Sequence, residues 1–337
     1  MSPLDRERYS RQILFAPIGE NGQQQLLDSH AAIVGCGALG SFHAAALARA
    51  GVGTLTIIDR DYIEPSNLQR QWLFDEADAA GSLPKAVAAE RAIGRINSGI
   101  RVAAHTADLT PSNIEELLEG AQVILDGTDN FETRYLVNDY CVSRRIPWIY
   151  GGAVGSYGIT MPVLPEGPCF RCIYPDSPSG IQPTCETAGI LGAAASTVAA
   201  LQVAAAMKLL CGQTPALRIT TLDVWEGSVR QIHMPARDAE CPACGKGEFP
   251  YLDGERRAPI SLCGRNAVQI HERTRPVDLM ELERHLAPHG DVRRNDFAVR
   301  FFFPPYEMTI FRDGRAIIKG TSDVGVARSL YARYLGA

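Results

Sequence analysis

HAAIVGCGALGSFHAAALARAGVGTLTIID, residues 30–59, decides the fold. An apolar run ends in glycines, an alanine-rich segment stops at Gly51, and a second apolar run ends at Asp59. This order reads as strand, tight turn, helix, strand. Gly35, Gly37 and Gly40 set a G-x-G-x-x-G spacing between the first strand and the helix. Such a turn brings backbone N–H groups and the positive helix end against phosphate. A carboxylate at the position of Asp59 can accept hydrogen bonds from ribose hydroxyls. Taken alone, these residues fit an NAD-dependent oxidoreductase.

Beyond residue 59 the alternation continues. Helical spacing at 83–97, a strand at RVAAHT, a short helix at 112–120, a strand at AQVILDGTDN, a helix at 131–145 and a strand at IPWIYGG complete the first half. Near-continuous apolar strands separated by helices indicate a mostly parallel, Rossmann-like sheet covered on both faces. After residue 152 the pattern becomes antiparallel. Strands are expected near 155–165 and 216–234, with an alanine-rich helix at 189–207 between them. The last 80 or so residues read as a small α+β unit: a helix at 278–290, a strand at 297–304, a hairpin turning at Asp313-Gly314 and a closing helix at 323–335. The domain expectation is 1–152, 153–247 and 248–337.

The composition of the 337 residues is that of an ordinary globular protein, and the net charge of −5 argues against a general nucleic-acid or membrane-surface binder. The N-terminus is charged and lacks an apolar core segment, and the nine cysteines are odd in number, which together point to the cytoplasm and to free thiols or metal ligands. The uncharged stretch 189–207 is mostly alanine with Ser196, Thr197 and Gln202 inside it, and reads as a helix buried in a core or a subunit interface rather than a membrane span.

Three features exceed what a dinucleotide needs. Asn67, Gln69, Arg70 and Gln71 crowd the segment after Asp59, Lys85 opens the next helix, and Asp129 stands at the carboxyl end of the fourth strand. A triphosphate requires cationic neutralisation and a divalent ion. Asp129 is placed to hold Mg²⁺ or to cap the helix that follows. Lys85 is either solvated or on phosphate, and a cation at a helix start is unfavourable without an anion beside it. Cys169-x-x-Cys172 and Cys241-x-x-Cys244 are two knuckles 68 residues apart, the ligand set of a closed, structural Zn²⁺ site. Cys36, Cys141 and Cys211 lie in apolar contexts and read as buried small hydrophobes. No histidine falls in a motif, so a general acid or base of the kind a dehydrogenase uses does not stand out.

RYSRQ (8–12), GCGALG, DRDYIEPSNLQRQ (59–71), Pro84-Lys85, DGTDN, CFRC, TCETAG (184–189) and CPACG, in that order, resemble the ThiF/MoeB family, bacterial relatives of ubiquitin-activating enzymes. The resemblance implies an ATP- and Mg²⁺-dependent adenylyltransferase acting on the C-terminal glycine of a ubiquitin-like sulfur carrier. It places ATP against Gly35, Gly37, Ala38 and Gly40, Asp59, the run Ser66, Asn67, Leu68, Gln69 and Arg70, then Lys85, Asp129 and Asn130. It makes Arg11 a phosphate contact supplied by the partner subunit of a homodimer, and Cys185 a cysteine able to form a thioester or acyl-persulfide with the carrier. A cysteine desulfurase or another sulfur donor is the further partner. The tail resembles the extension of longer ThiF-type proteins, which favours a ThiS-like carrier of thiazole synthesis over a MoaD-like carrier of molybdopterin synthesis. Cys263 has too little chain around it for a rhodanese domain. A peptide or a tRNA base as the acceptor, and a noncatalytic scaffold, are the remaining alternatives.

Overall fold

The computed structural model describes residues 1–176, 187–254, 261–262, 267–270, 276–312 and 314–336. The chain forms two compact units, Met1–Arg256 and Arg257–Ala337.

In the first unit, eight strands make one sheet: β1 (His30–Val34), β2 (Thr54–Ile58), β3 (Arg101–His105), β4 (Val123–Asp126), β5 (Trp148–Val154), β6 (Tyr157–Val163), β7 (Arg218–Asp223) and β8 (Ser228–His233). Their spatial order is β3-β2-β1-β4-β5-β6-β7-β8. The first five are parallel and β6, β7 and β8 continue antiparallel, so the expected Rossmann-like sheet with an antiparallel continuation is what the chain builds. Alternate residues of β1 serve the two faces. Ala31 and Ile33 join a core under the helices Gly40–Ala50, Lys85–Ile96 and Gly192–Leu210. Ala32 and Val34 join a second core under the helix Phe131–Arg144. Burial on both faces explains the unbroken apolar strands, and each fully buried Ile or Leu contributes about 1.5–3 kcal/mol.

The alanine helix Gly192–Leu210 lies directly on the sheet because both surfaces are small. A Cβ added to Gly158 would stand 2.3 Å from Val198, and one added to Gly151 would stand 2.4 Å from Gln202. The helix is long and apolar enough to cross a membrane by length and composition, yet its Ala194, Ala195, Val198, Ala199 and Gln202 are buried within the unit.

The second unit is a six-stranded antiparallel sheet. β9 (Ser261–Leu262), β10 (Ala267–Ile270), β11 (Asp291–Arg294), β12 (Ala298–Phe303), β13 (Tyr306–Phe311) and β14 (Ala316–Lys319) stand in the order β11-β12-β13-β14-β10-β9. The helices Leu279–Leu286 and Val324–Leu335 close its core with Leu282, Leu286 and Tyr331. The expected hairpin is β13 and β14; Asp313 of its turn lies outside the described residues, and Gly314 takes the left-handed conformation at φ +84°. β10 and β11 go beyond the sequence reading, because a strand such as Asp-Val-Arg-Arg carries a single apolar residue and no alternation.

Candidate active site

The direction of strand order reverses between β1 and β4, and the crevice beyond their carboxyl ends is where open α/β sheets bind ligands. The glycine turn leaves β1 there. Gly35 adopts φ +86°, and a Cβ on Gly40 would stand 1.8 Å from the Gly35 carbonyl oxygen. Gly35 and Gly40 are therefore packing requirements of the turn. Gly37 and Ala38 stay partly exposed at its tip. Leu39 gives the helix Gly40–Ala50 no side-chain cap, and the Ser41 N–H donates to the Gly37 carbonyl at 3.0 Å, so what the helix start offers a ligand is its positive end.

Asp59 directly follows β2 and ties the turn to the next loop. Its Oδ2 accepts from the Cys36 N–H at 2.6 Å and its Oδ1 from the Asp61 N–H at 2.7 Å. Burial pushes the Asp59 carboxyl up, and Lys85 pulls it back toward the ionised form. Lys85 is buried, with its ammonium 3.3 Å from Asp61. Arg60 pairs with Asp108 at 2.9 Å. Lys85 thus is not a solvated cation, and it has an anionic neighbour in the protein itself.

The run Ser66–Arg70 divides by role. Asn67 is buried and its Oδ1 accepts from the Glu64 N–H at 3.0 Å, so its side chain shapes the turn. Leu68 packs against the core. Ser66 and Gln69 are exposed, and half-buried Arg70 donates one Nη1 bond to the Ser66 carbonyl at 2.8 Å. The Gln69 carbonyl abuts Gly192 at the start of the alanine helix. Gln71 is buried beneath Gly37.

Asp129 is exposed beyond β4 and makes no hydrogen bond or ion pair among the described residues. It is not the cap of the following helix. Asn130 is, with its Oδ1 accepting from the Thr133 N–H at 2.8 Å. A free carboxylate oxygen beside a phosphate-sized turn fits a hard divalent cation such as Mg²⁺.

Arg11 is exposed on the short helix Ser10–Ile13. Its neighbour Gln12 donates to the Ala50 carbonyl at 2.9 Å, at the far end of the helix that starts at Gly40. Eleven helical residues span about 16 Å, so Arg11 cannot reach the glycine turn of its own chain. Cys185 and Cys263 lie outside the described residues.

Cys169, Cys172, Cys241 and Cys244 converge, all four sulfurs within 4.8 Å of one another. The separations are 3.9 Å for Cys169–Cys172, 3.6 Å for Cys169–Cys241 and 3.4 Å for Cys172–Cys244. Sulfurs about 2.3 Å from a tetrahedral Zn²⁺ stand about 3.8 Å apart, so the donor set fits that ion. The hydrogen bond with Cys169 holds Cys172 down near 5 and Cys169 itself high, which favours a thiolate in the cluster. Cys36 and Cys141 are buried as expected; Cys211 is only half-buried, against the Gly22 carbonyl.

The sequence reading missed the buried polar frame behind the crevice. Arg134 pairs with Asp126 at 3.0 Å. Gln202 donates to the Asp126 and Ile149 carbonyls at 2.9 and 3.0 Å and accepts from His43 at 2.9 Å. Burial pushes His43 down to about 4, so it is a neutral donor rather than an acid–base group. The one available signal was polar residues inside otherwise apolar helices.

The ThiF family matches residues 9–243. The chain is 44% identical over 334 residues to a Bacillus subtilis (strain 168) sulfur carrier protein ThiS adenylyltransferase, covering 98% of this chain and 99% of that one. It is 39% identical to the Escherichia coli (strain K12) ThiS adenylyltransferase over 73% of this chain and 97% of that one. Among solved structures, E. coli MccB with ATP superposes with a TM-score of 0.62 and 25% identity over 71% of this chain and 73% of that one. The glycine turn, the acid after β2, the lysine-led helix and the four-cysteine cluster thus stand in a chain that belongs to the ThiF family.

Proposed function

We infer that the protein is an ATP-dependent adenylyltransferase that activates the C-terminal carboxylate of a ThiS-like, ubiquitin-like sulfur carrier. The carrying observation is the composition of one crevice: the positive end of a helix, the cations Lys85 and Arg70, and the free carboxylate of Asp129. A dinucleotide needs the first alone; a triphosphate with its divalent ion uses all three. Similarity to ThiS adenylyltransferases supports the choice of carrier.

In this reading the backbone of Gly35, Gly37, Ala38 and Gly40 and the run Ser66–Arg70 line the phosphates, and Asp59 takes the ribose. Mg²⁺, held by Asp129, would supply charge neutralisation across the phosphates. The attacking carboxylate has an ordinary pKa of about 3.5 and is already ionised, so no general base is needed. Catalysis is positioning plus neutralisation of charge at the α-phosphate by Lys85 and Arg70, with pyrophosphate leaving. Cys185 then serves as the thiol nucleophile for the acyl adenylate, and a cysteine desulfurase supplies the sulfur.

The carrier docks at the open edge of the sheet. β8 is exposed along its length, with Val229 and Ile232 apolar, and Trp225 projects from the turn before it. An exposed edge recognises a partner strand through main-chain hydrogen bonds. The four cysteines hold structural Zn²⁺.

A homodimer supplies Arg11. The alanine helix leaves Ala193, Thr197, Ala200, Leu201 and Ala204 exposed as one stripe, and exposed Trp72 donates to Ser196 beside it. Leu201→Glu is expected to convert the dimer to a monomer in light scattering and to reduce pyrophosphate exchange by about 100-fold. An active monomeric variant would remove Arg11 from the site.

Purified protein mixed with a ThiS-like carrier, ATP and Mg²⁺ is expected to raise the carrier's mass by one adenylate. ATP with Mg²⁺ is expected to raise the melting temperature, and NAD is expected to leave it unchanged. Protection by NAD, or an unmodified carrier with every component present, would overturn the reading.

A further inference from the structure

The loop Gly127–Asn130 leaves β4 with its ends fixed and its middle free. At residue 128 both donors and the carbonyl are engaged. The Thr128 N–H and Oγ1 donate to the Asp126 Oδ1 at 2.9 and 2.6 Å, and its carbonyl accepts from Arg134 Nη2 at 2.7 Å. The same guanidinium donates through Nε to the Asp126 Oδ2 at 3.0 Å and through Nη2 to the Gly151 carbonyl at 3.2 Å. Its Cζ lies 5.3 Å from the Phe131 ring centre and 5.1 Å from that of Tyr150. On the other side, Asn130 is fixed as the helix cap. Between these clamps only the Asp129 carboxylate is uncommitted.

A buried ion pair is a poor device for stability, because desolvation offsets the attraction. Here the pair joins β4, the loop and β5. A planar fork reaches several acceptors in fixed directions; an ammonium does not. Groups outside the ligands themselves set ligand orientation and tune ion affinity, and here the contact runs through the backbone of the residue before Asp129.

We propose that Arg134 is a positioning residue, which through Asp126 and Thr128 holds the Asp129 carboxylate in the direction needed for the divalent ion of the nucleotide. This inference rests on the adenylyltransferase reading above. Arg134 does not touch the nucleotide; it acts through the loop.

The test measures ion binding directly. Mn²⁺ is titrated into the full-length protein with a non-hydrolysable ATP analogue and followed by electron paramagnetic resonance, alongside a melting curve for each variant. Arg134→Lys is expected to weaken Mn²⁺ binding about 10-fold or more. Thr128→Val, which keeps both charges, shifts it in the same direction by a smaller factor. Affinity for the analogue without the ion stays within a few-fold of the parent for both. Arg134→Lys with a lowered melting temperature and parental Mn²⁺ affinity would reduce Arg134 to a structural residue and overturn the inference. If Arg134→Lys does not fold, parental affinity in Thr128→Val overturns it equally. Asp129→Ala separates the two levels. Parental Mn²⁺ affinity there removes the ion site and the inference together; loss of affinity there, with parental affinity in Arg134→Lys, removes the inference alone.

Discussion

Replacing Asp129 by alanine is expected to lower carrier-dependent ATP–pyrophosphate exchange by about 10³-fold or more while leaving the melting temperature unchanged. The size follows from removing a preorganised charge aimed at the reacting phosphate, which costs about 10²–10³ for a single donor and more where a divalent ion is lost with it. The unchanged fold follows from exposure: Asp129 bonds to no described residue, and surface substitutions of that kind stay within about 0.5 kcal/mol. Arg70→Ala is expected to act in the same direction by removing a cation from the phosphates, and to spare the fold because its side chain gives up one bond to the Ser66 carbonyl. Labelled pyrophosphate incorporation into ATP, with and without carrier, measures both. Parental exchange rates in both variants would remove the phosphates from this crevice.

The second large effect is on stability. The two cysteine pairs are 72 residues apart from Cys169 to Cys241, and the chain between them contains the alanine helix, β7 and β8. A structural Zn²⁺ contributes about 10 kcal/mol to folding in small domains. Even half of that, in a unit of this size, moves the melting temperature by about 10 °C or more. Elemental analysis should give one zinc per chain, and Cys241→Ser should melt that much lower. A variant without the metal that melts at the parental temperature would make the four thiols ordinary core residues.

Much of the fold was legible because its constraints are local. The spacing of Gly35, Gly37 and Gly40 is dictated by a turn in which Gly40 has no room for a Cβ, and the apolar strands by burial on both faces. The two cysteine knuckles announce themselves by residue type and spacing. The frame behind the crevice was not legible, because its bonds cross the chain. His43 meets Gln202 across 159 residues, and Gln202 meets Asp126 across 76. A lone polar residue in an apolar helix carries no period, so nothing in the sequence pairs it with its partner. The cap after β4 was open for a subtler reason: Asp129 and Asn130 are both good cap residues, and only the backbone decides for Asn130.

The pairing of charges around the crevice has a consequence for the order of assembly. Lys85 faces Asp61, Arg60 faces Asp108 and Arg134 faces Asp126, so part of the positive charge near the crevice is already met within the protein. Asp59 and Asp129 stand beside them as further anions. A bare nucleotide with its full negative charge is drawn to such a mouth less strongly than one that arrives with its counterion in tow. The crevice therefore favours the nucleotide that comes with its ion over the bare one.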